Sequence, residues 1–142
     1  EIENPSGMTD EYYFDTSIWI DFHEKRGKNG EAALQLILKI IEEDDKIAYS
    51  DLHIREFKNL GYSQEEIYSI FNITKPHHIK HIHSYKWQRK EARKIARQRN
   101  IPKKDVLHAI IARDNDLQLI ARDYHFDKLR DITIAKKPEE VT

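Results

Sequence analysis

Residues 12–22 read YYFDTSIWIDF, and this stretch indicates the fold class. The apolar run from Tyr12 to Phe14 predicts a first β-strand, and the run from Thr16 to Phe22 predicts a short helix directly after it. Short apolar runs alternate with helical patterns along the rest of the chain as well. This alternation is typical of α/β proteins with a mainly parallel sheet. We therefore predict a three-layer α/β/α sandwich around a short, mainly parallel sheet.

Capping residues and apolar periodicity predict the remaining elements. Residues 73–83 carry no clear pattern and leave room for a short edge strand. The other strands are predicted at Lys46–Tyr49, Leu117–Ala121 and Ile132–Ala135. The other helices are predicted from the cap Asn29 to Glu43, from Ser50 or Asp51 to Gly61, from the capping box at Ser63 to Asn72, from Ser84 to Arg99, from Pro102 onward, and from Tyr124 to Arg130.

The composition fits one domain. The chain has 142 residues, of which 39% are hydrophobic, enough for a single layered core. No apolar run approaches the ~20 residues that a membrane span needs, and the first residues are too polar for a signal peptide. Cysteine is absent, which excludes disulfides, thiolate catalysis and cysteine-based zinc sites. We expect a cytoplasmic protein with one domain over residues 8–142, and we interpret residues 1–7 as the remnant of an expression tag.

The charge of the chain is strongly segregated. The net charge is −1, yet residues 75–104 hold 11 Lys or Arg against one acid, Glu91, so that this segment carries +10 and the remainder −11. The plain interpretation is a solvated helix with long side chains. A ten-charge excess favours a phosphate-binding face instead. Because Arg89, Arg93 and Arg97 recur every four positions, we predict that they bind RNA from one face of the helix.

Four acids stand at corresponding landmarks of the predicted fold. Asp15 and Asp123 each follow a strand, Glu56 lies in the helix after the second strand, and Asp105 lies in the first turn of the helix that Pro102 opens. Active sites of open parallel sheets form beyond the carboxyl ends of the strands. Each acid alone is also consistent with a helix cap, a turn or an ion pair. Their joint placement favours a common site.

The residues around these acids resemble a known family. YFDTSIWID at residues 13–21 resembles the opening of PIN domains, DVLHAIIA at 105–112 resembles their third acidic motif, and LIARDYHF at 119–126 resembles the fourth. Glu56 stands in the helix 52–60 where the family has its second acid. The match runs in order over nearly the whole chain, and the compact size resembles VapC-type toxins of toxin–antitoxin pairs.

This sequence departs from the family pattern at three positions. Ala121 stands where many relatives have Thr or Ser, so a hydroxyl contact to the substrate or to a ligand is missing. Trp19 stands where small aliphatic residues are common. Asp127 lies one helical turn beyond Asp123 and is a further candidate for the fourth acid.

The resemblance implies a metal-dependent endoribonuclease, the toxin of a toxin–antitoxin pair, with a homodimer and a cognate antitoxin as further expectations. Clustered carboxylates need a cation between them, and their hard oxygens select Mg²⁺ or Mn²⁺. We expect Thr16 to hydrogen-bond a ligand or the phosphate of RNA. The expected catalytic residues and metal ligands are Asp15, Glu56, Asp105 and Asp123, with Asp127 as an additional ligand.

Other interpretations stay open at this point. A non-catalytic RNA-binding module of the same fold, or a PIN nuclease of RNA processing, has the same sequence features. The four histidines within residues 77–83 are compatible with metal-free RNA cleavage, although a solvated linker is the simpler interpretation. His53 and His108 are interpreted as packing residues. Tyr85 and Trp87 are candidates for stacking on bases or for core packing. A phosphoacceptor domain has the least support, because no acidic pair lies in the first strand.

Overall fold

The computed structural model describes residues 10–142, so the interpreted tag remnant at residues 1–7 lies outside the described residues. Four strands form one parallel sheet in the order β3-β2-β1-β4, and helices cover both of its faces, which confirms the predicted fold class. The strands are β1 (Glu11–Phe14), β2 (Lys46–Ser50), β3 (Ile79–Ile82) and β4 (Gln118–Ile120).

Six α-helices connect and cover these strands. The predicted capping box at the start of α4 is confirmed, since Ser63 Oγ accepts from the Glu66 N–H at 3.1 Å and Glu66 Oε1 accepts from the Ser63 N–H at 3.0 Å. Ser50, one of the two predicted candidates, is the N-cap of α3. The helices are α1 (Thr16–His23), α2 (Gly27–Glu42), α3 (Asp51–Asn59), α4 (Gln64–Phe71), α5 (Lys86–Arg99) and α6 (Lys103–Asp114), and short 3₁₀ turns span Pro76–His78, Tyr124–Leu129 and Pro138–Glu140.

Alternate residues of the strands belong to two hydrophobic cores, one on each face of the sheet. Tyr12 and Phe14 of β1 pack with α1, α2 and α4, whereas Tyr13 faces the opposite layer, which contains α5 and α6. This is the period-two alternation of a strand that is buried on both faces. Every residue of helix α6 from Asp105 to Ala112 is buried. The buried surface is therefore wider than the single apolar stripe that the sequence predicts.

The order in which the parallel strands are added to the sheet changes direction at β1. The first three strands are added in one direction, and β4 then pairs on the other side of β1, with Phe14 opposite Ile120. Such a switch point leaves a crevice at the carboxyl ends of the two strands. The fold therefore offers a site where β1 and β4 end.

Two helices begin at residues other than the predicted ones. Helix α2 begins at Gly27 rather than after a cap at Asn29, because Lys25 (φ 53°) and Gly27 (φ 55°) turn the chain early through the left-handed region. The turn is tight: a Cβ on Gly30 would lie 2.6 Å from the carbonyl oxygen of Asp21. Helix α6 likewise begins at Lys103, with Pro102 at the N-cap position.

The predicted last strand, Ile132–Ala135, is also wrong. The chain pairs with β4 only through Lys136, whose N–H donates to the Leu119 oxygen at 3.0 Å and whose carbonyl accepts from the Ala121 N–H at 3.0 Å. Ile132 and Ala135 pack against the core on the α6 side instead. Burial of these apolar side chains, rather than sheet pairing, explains the apolar run.

The histidine-rich segment is not the solvated linker that its sequence suggested. It contains a 3₁₀ turn and the edge strand β3, which confirms the short strand expected there. His78 is buried and its Nδ1 donates to the Asp45 carbonyl oxygen at 3.0 Å, while His81 stacks on Tyr49. Among residues 10–142, no helix has the length and apolarity needed to cross a membrane.

Candidate active site

The first pair of acids lies at the switch point. The N–H of Asp15 donates to the Ile120 oxygen at 2.9 Å, so that β1 and β4 stay paired up to the residue that begins α1. The carboxylate of Asp15 is buried and accepts a hydrogen bond from Ser17 Oγ at 2.7 Å. Asp123 stands three residues after the end of β4 and is the N-cap of the 3₁₀ turn Tyr124–Leu129. The pairing of β1 with β4 thus places both acids at the carboxyl end of the sheet, although they are more than one hundred residues apart in the sequence.

Asp105 joins Asp123 through a histidine. His125 Nδ1 lies 2.9 Å from Asp105 Oδ2 and 2.9 Å from Asp123 Oδ1. Ligand atoms of these three residues all lie within 4.8 Å of one another. Burial, together with the charges of Asp15 and Asp123, raises the pKa of Asp105 to about 6. The group has the donor atoms and the excess negative charge that a divalent cation would compensate.

Glu56 joins Asp15 through a second histidine. His108 Nε2 donates to Glu56 Oε1 at 2.5 Å and lies 3.9 Å from Asp15 Oδ1. Thr16 Oγ1 donates to the same Glu56 oxygen at 3.0 Å. Burial opposes the ionisation of Glu56, but the hydrogen bond and the charge of His108 outweigh it and lower the pKa of this carboxyl.

A buried polar row holds His108 in place. His108 is fully buried, and burial opposes its protonation, yet Glu56 and Asp15 raise its pKa against this cost. His108 Nδ1 shares a hydrogen bond with Tyr13 Oη at 2.7 Å, and Tyr13 Oη shares another with Ser50 Oγ at 2.8 Å. Each of these polar atoms therefore has a partner, which fixes the ring orientation. His108 is buried against Tyr13 and His53, as the packing interpretation expects, and it also hydrogen-bonds the predicted catalytic residue Glu56.

A row of cations borders the acids. Lys104 Nζ lies 3.9 Å from Glu56 Oε2. Burial and the charges of Arg93, Arg55 and Arg89 lower the pKa of the neighbouring Lys103. Helices α3, α5 and α6 therefore bring several positive side chains to one surface beside the acidic site. We call Arg55, Arg89, Arg93, Lys103 and Lys104 the basic rim.

The three predicted RNA-binding arginines differ in their surroundings. Arg89 is half-buried and donates to both the carbonyl and the hydroxyl of Ser84 at 3.0 Å. These hydrogen bonds hold its guanidinium against the residues just before α5. Arg93 and Arg97 are exposed and line a groove with Trp87. Tyr85 and Trp87 are each 57% exposed, which excludes the core-packing interpretation.

Some predicted ligands do not join these contacts. Asp127 is exposed and belongs to neither group of close ligand atoms found among residues 10–142. The second such group consists of Asp44, His77 and His78. These residues precede β2 and β3 and lie at the amino ends of the strands, whereas the acidic site lies at the carboxyl ends. The sequence indicated His108 only as a packing residue and did not single out His125. The available signal for both histidines was their spacing from the acids, since His108 follows Asp105 by three residues and His125 follows Asp123 by two.

The comparison of the sequence with protein families identifies the fold. The model of the PIN domain family matches residues 12–132. The chain belongs to the PIN domain family. This match confirms the resemblance that the acidic motifs carried. No curated protein matches the sequence.

Three solved structures illustrate the similarity of this PIN domain to known folds. VapBC2 from Rickettsia felis, bound to a DNA fragment from its promoter, has a TM-score of 0.66 at 18% identity, with 89% of this chain and 98% of that chain covered. A toxin–antitoxin complex from Klebsiella pneumoniae gives 0.60 at 17%, covering 89% and 97%. FitAcB from Neisseria gonorrhoeae gives 0.57 at 16%, covering 90% and 98%. Similarity at this identity shows a shared fold across almost the whole domain.

Proposed function

We propose that this PIN domain is a metal-dependent endoribonuclease and the toxin of a toxin–antitoxin pair. The observation that carries the proposal is the meeting of Asp15, Asp105 and Asp123 at the switch point of the sheet, with the basic rim beside them. Carboxylate oxygens are the ligands that Mg²⁺ and Mn²⁺ take in proteins. An acidic pocket alone would repel RNA, so the adjacent cations are needed to bring the substrate to the site.

The chain would hold the ion with the carboxylates of Asp105, Asp123 and Asp15. A bound divalent cation would supply positive charge against the phosphodiester and lower the pKa of an attacking water. Glu56 has one oxygen engaged by His108 and Thr16, which supports a role in holding water or a ligand rather than in direct coordination. The ligand role of Asp127 stays a prediction.

The basic rim would position the sugar–phosphate backbone. Lys104 beside Glu56 would neutralise a phosphate next to the scissile bond, and Arg93 would bind phosphates farther along the strand. Trp87 and Tyr85, exposed on the same helix region with rings 6.2 Å apart, would offer surfaces on which unpaired bases stack. These features favour single-stranded RNA as the substrate.

The toxin role rests on the structural similarity to toxin–antitoxin complexes. A cognate antitoxin would cover the acidic site or the basic rim, and a homodimer would be the assembled form. Both are proposals that follow from family resemblance. A small open reading frame immediately upstream is the expected source of the antitoxin.

A cleavage assay tests the proposal. We expect labelled single-stranded RNA to be cut in Mn²⁺ or Mg²⁺, not in EDTA, and not by Asp105→Asn. The matched control is Asp116→Asn, which makes the same change at an exposed turn after the same helix, at a φ of 54° that Asn adopts readily. Cleavage in EDTA would overturn the metal mechanism and favour a histidine-based one. Failure of the upstream protein to inhibit cleavage would overturn the toxin role alone.

A further inference from the structure

His125 occupies an unusual position between two carboxylates. Its Nδ1 lies 2.9 Å from one oxygen of Asp105 and 2.9 Å from one oxygen of Asp123. Its own backbone N–H donates to the same Asp123 oxygen at 2.8 Å. The single residue therefore orients the Asp123 carboxylate and places a ring nitrogen in the middle of the acidic group.

A single N–H at Nδ1 cannot form two full-strength hydrogen bonds to two carboxylates at once, whereas one metal ion can bind all three side chains. An ion held at about 2.0–2.6 Å from each ligand reaches ligand atoms up to roughly 5 Å apart. The ligand atoms of Asp105, Asp123 and His125 meet this condition, since all lie within 4.8 Å of one another. The ring is partly buried, and it belongs to the 3₁₀ turn that packs against α6.

We propose that His125 is a nitrogen ligand of the catalytic ion, and that it makes the site prefer Mn²⁺ to Mg²⁺. The inference rests on the proposed function, because it concerns the ion at that same site. Imidazole nitrogen binds first-row transition ions well, whereas Mg²⁺ prefers oxygen ligands and water. A site of two carboxylates and one imidazole therefore discriminates between two ions that an all-carboxylate site treats more alike.

The experiment measures metal binding without RNA. Calorimetric titration of the full chain with MnCl₂ and with MgCl₂ gives the two affinities, and pulsed electron paramagnetic resonance of bound Mn²⁺ reports whether nitrogen is coordinated. The variants are His125→Asn and His125→Gln, so that a folding defect in one does not remove the test. The matched control is His83→Asn, which changes an exposed histidine just after β3.

We expect hyperfine coupling between Mn²⁺ and a ligand nitrogen in the wild type and in His83→Asn, and no such coupling in either His125 variant. Affinity for Mn²⁺ should fall about tenfold or more in the His125 variants, a loss typical of damaged metal sites, while the Mg²⁺ affinity changes much less. Coupling that persists without His125, or equal losses for both ions, would overturn the inference and leave the metal-dependent nuclease intact. A wild-type protein that binds neither ion would overturn the proposed function as well.

Discussion

Burial and two neighbouring carboxylates raise the pKa of Asp105 from 3.8 to about 6. Between these pH values the folded protein keeps a proton that the unfolded chain has released. The free energy of unfolding therefore falls as the pH rises through this window, by up to about 3 kcal/mol from this residue alone. In metal-free buffer, the Asp105 carboxyl is a source of instability at neutral pH.

Asp105→Asn should remove this pH dependence. We expect the variant to gain stability relative to the wild type between about pH 4 and pH 6, and to be at least as stable at pH 7. Urea unfolding of both proteins in EDTA at several pH values measures the difference, with Asp116→Asn as the control. A variant that is much less stable than the wild type at every pH would identify Asp105 as a structural helix-start residue instead.

Among the helices, α5 carries exposed cations on a surface that continues into the basic rim. Arg93 and Arg97 are exposed, whereas Arg89 is engaged by Ser84 and Arg99 by Asp131. The two exposed arginines are therefore the ones expected to release counterions when RNA binds. The regular four-residue spacing in the sequence did not distinguish them from Arg89.

Charge reversal of Arg93 and Arg97 together should weaken RNA binding and flatten its dependence on salt concentration. The slope of log affinity against log salt should fall by roughly 0.7 for each phosphate of a single strand that the variant no longer neutralises. Binding is measured with catalytically inactive Asp105→Asn protein over a salt series. Lys28→Glu, on α2 in the opposite helical layer, is the control. An unchanged slope would assign the α5 surface to a protein partner.

Over the whole molecule, metal binding should stabilise the fold, since the site joins four separate parts of the chain. A ligand at one hundred times its dissociation constant adds about 2.7 kcal/mol to the free energy of unfolding. For a domain of this size the melting temperature should rise by roughly 2–4 °C per kcal/mol.

Thermal melts with and without Mn²⁺ or Mg²⁺ measure this effect. We expect a rise of several degrees for the wild type and for Asp116→Asn, and a much smaller one for Asp105→Asn. Equal shifts in all three proteins would mean that the ion binds elsewhere, for example near Asp44, His77 and His78 at the amino ends of the strands.

Local patterns in the sequence were enough to place several elements. Apolar periodicity located β1, β2 and most helices, and the Ser63 and Ser50 caps were predicted correctly because capping depends on residues only three apart. The placement of Asp15, Asp105 and Asp123 after strands or at a helix start also followed from local order. The early start of α2 and the absence of the predicted last strand did not, because both depend on how the chain packs onto neighbouring elements.

The partners of the acids follow from the tertiary structure instead. Glu56 meets Thr16 across 40 residues, because the parallel pairing of β1 and β2 brings α1 and α3 together. Glu56 also meets His108 of α6 across 52 residues. Asp105 meets His125 because α6 packs against the turn that follows β4. A single sequence records the identity and the spacing of these residues. Their contacts depend on strand register and helix packing, which are set by the burial of apolar surface over the whole domain.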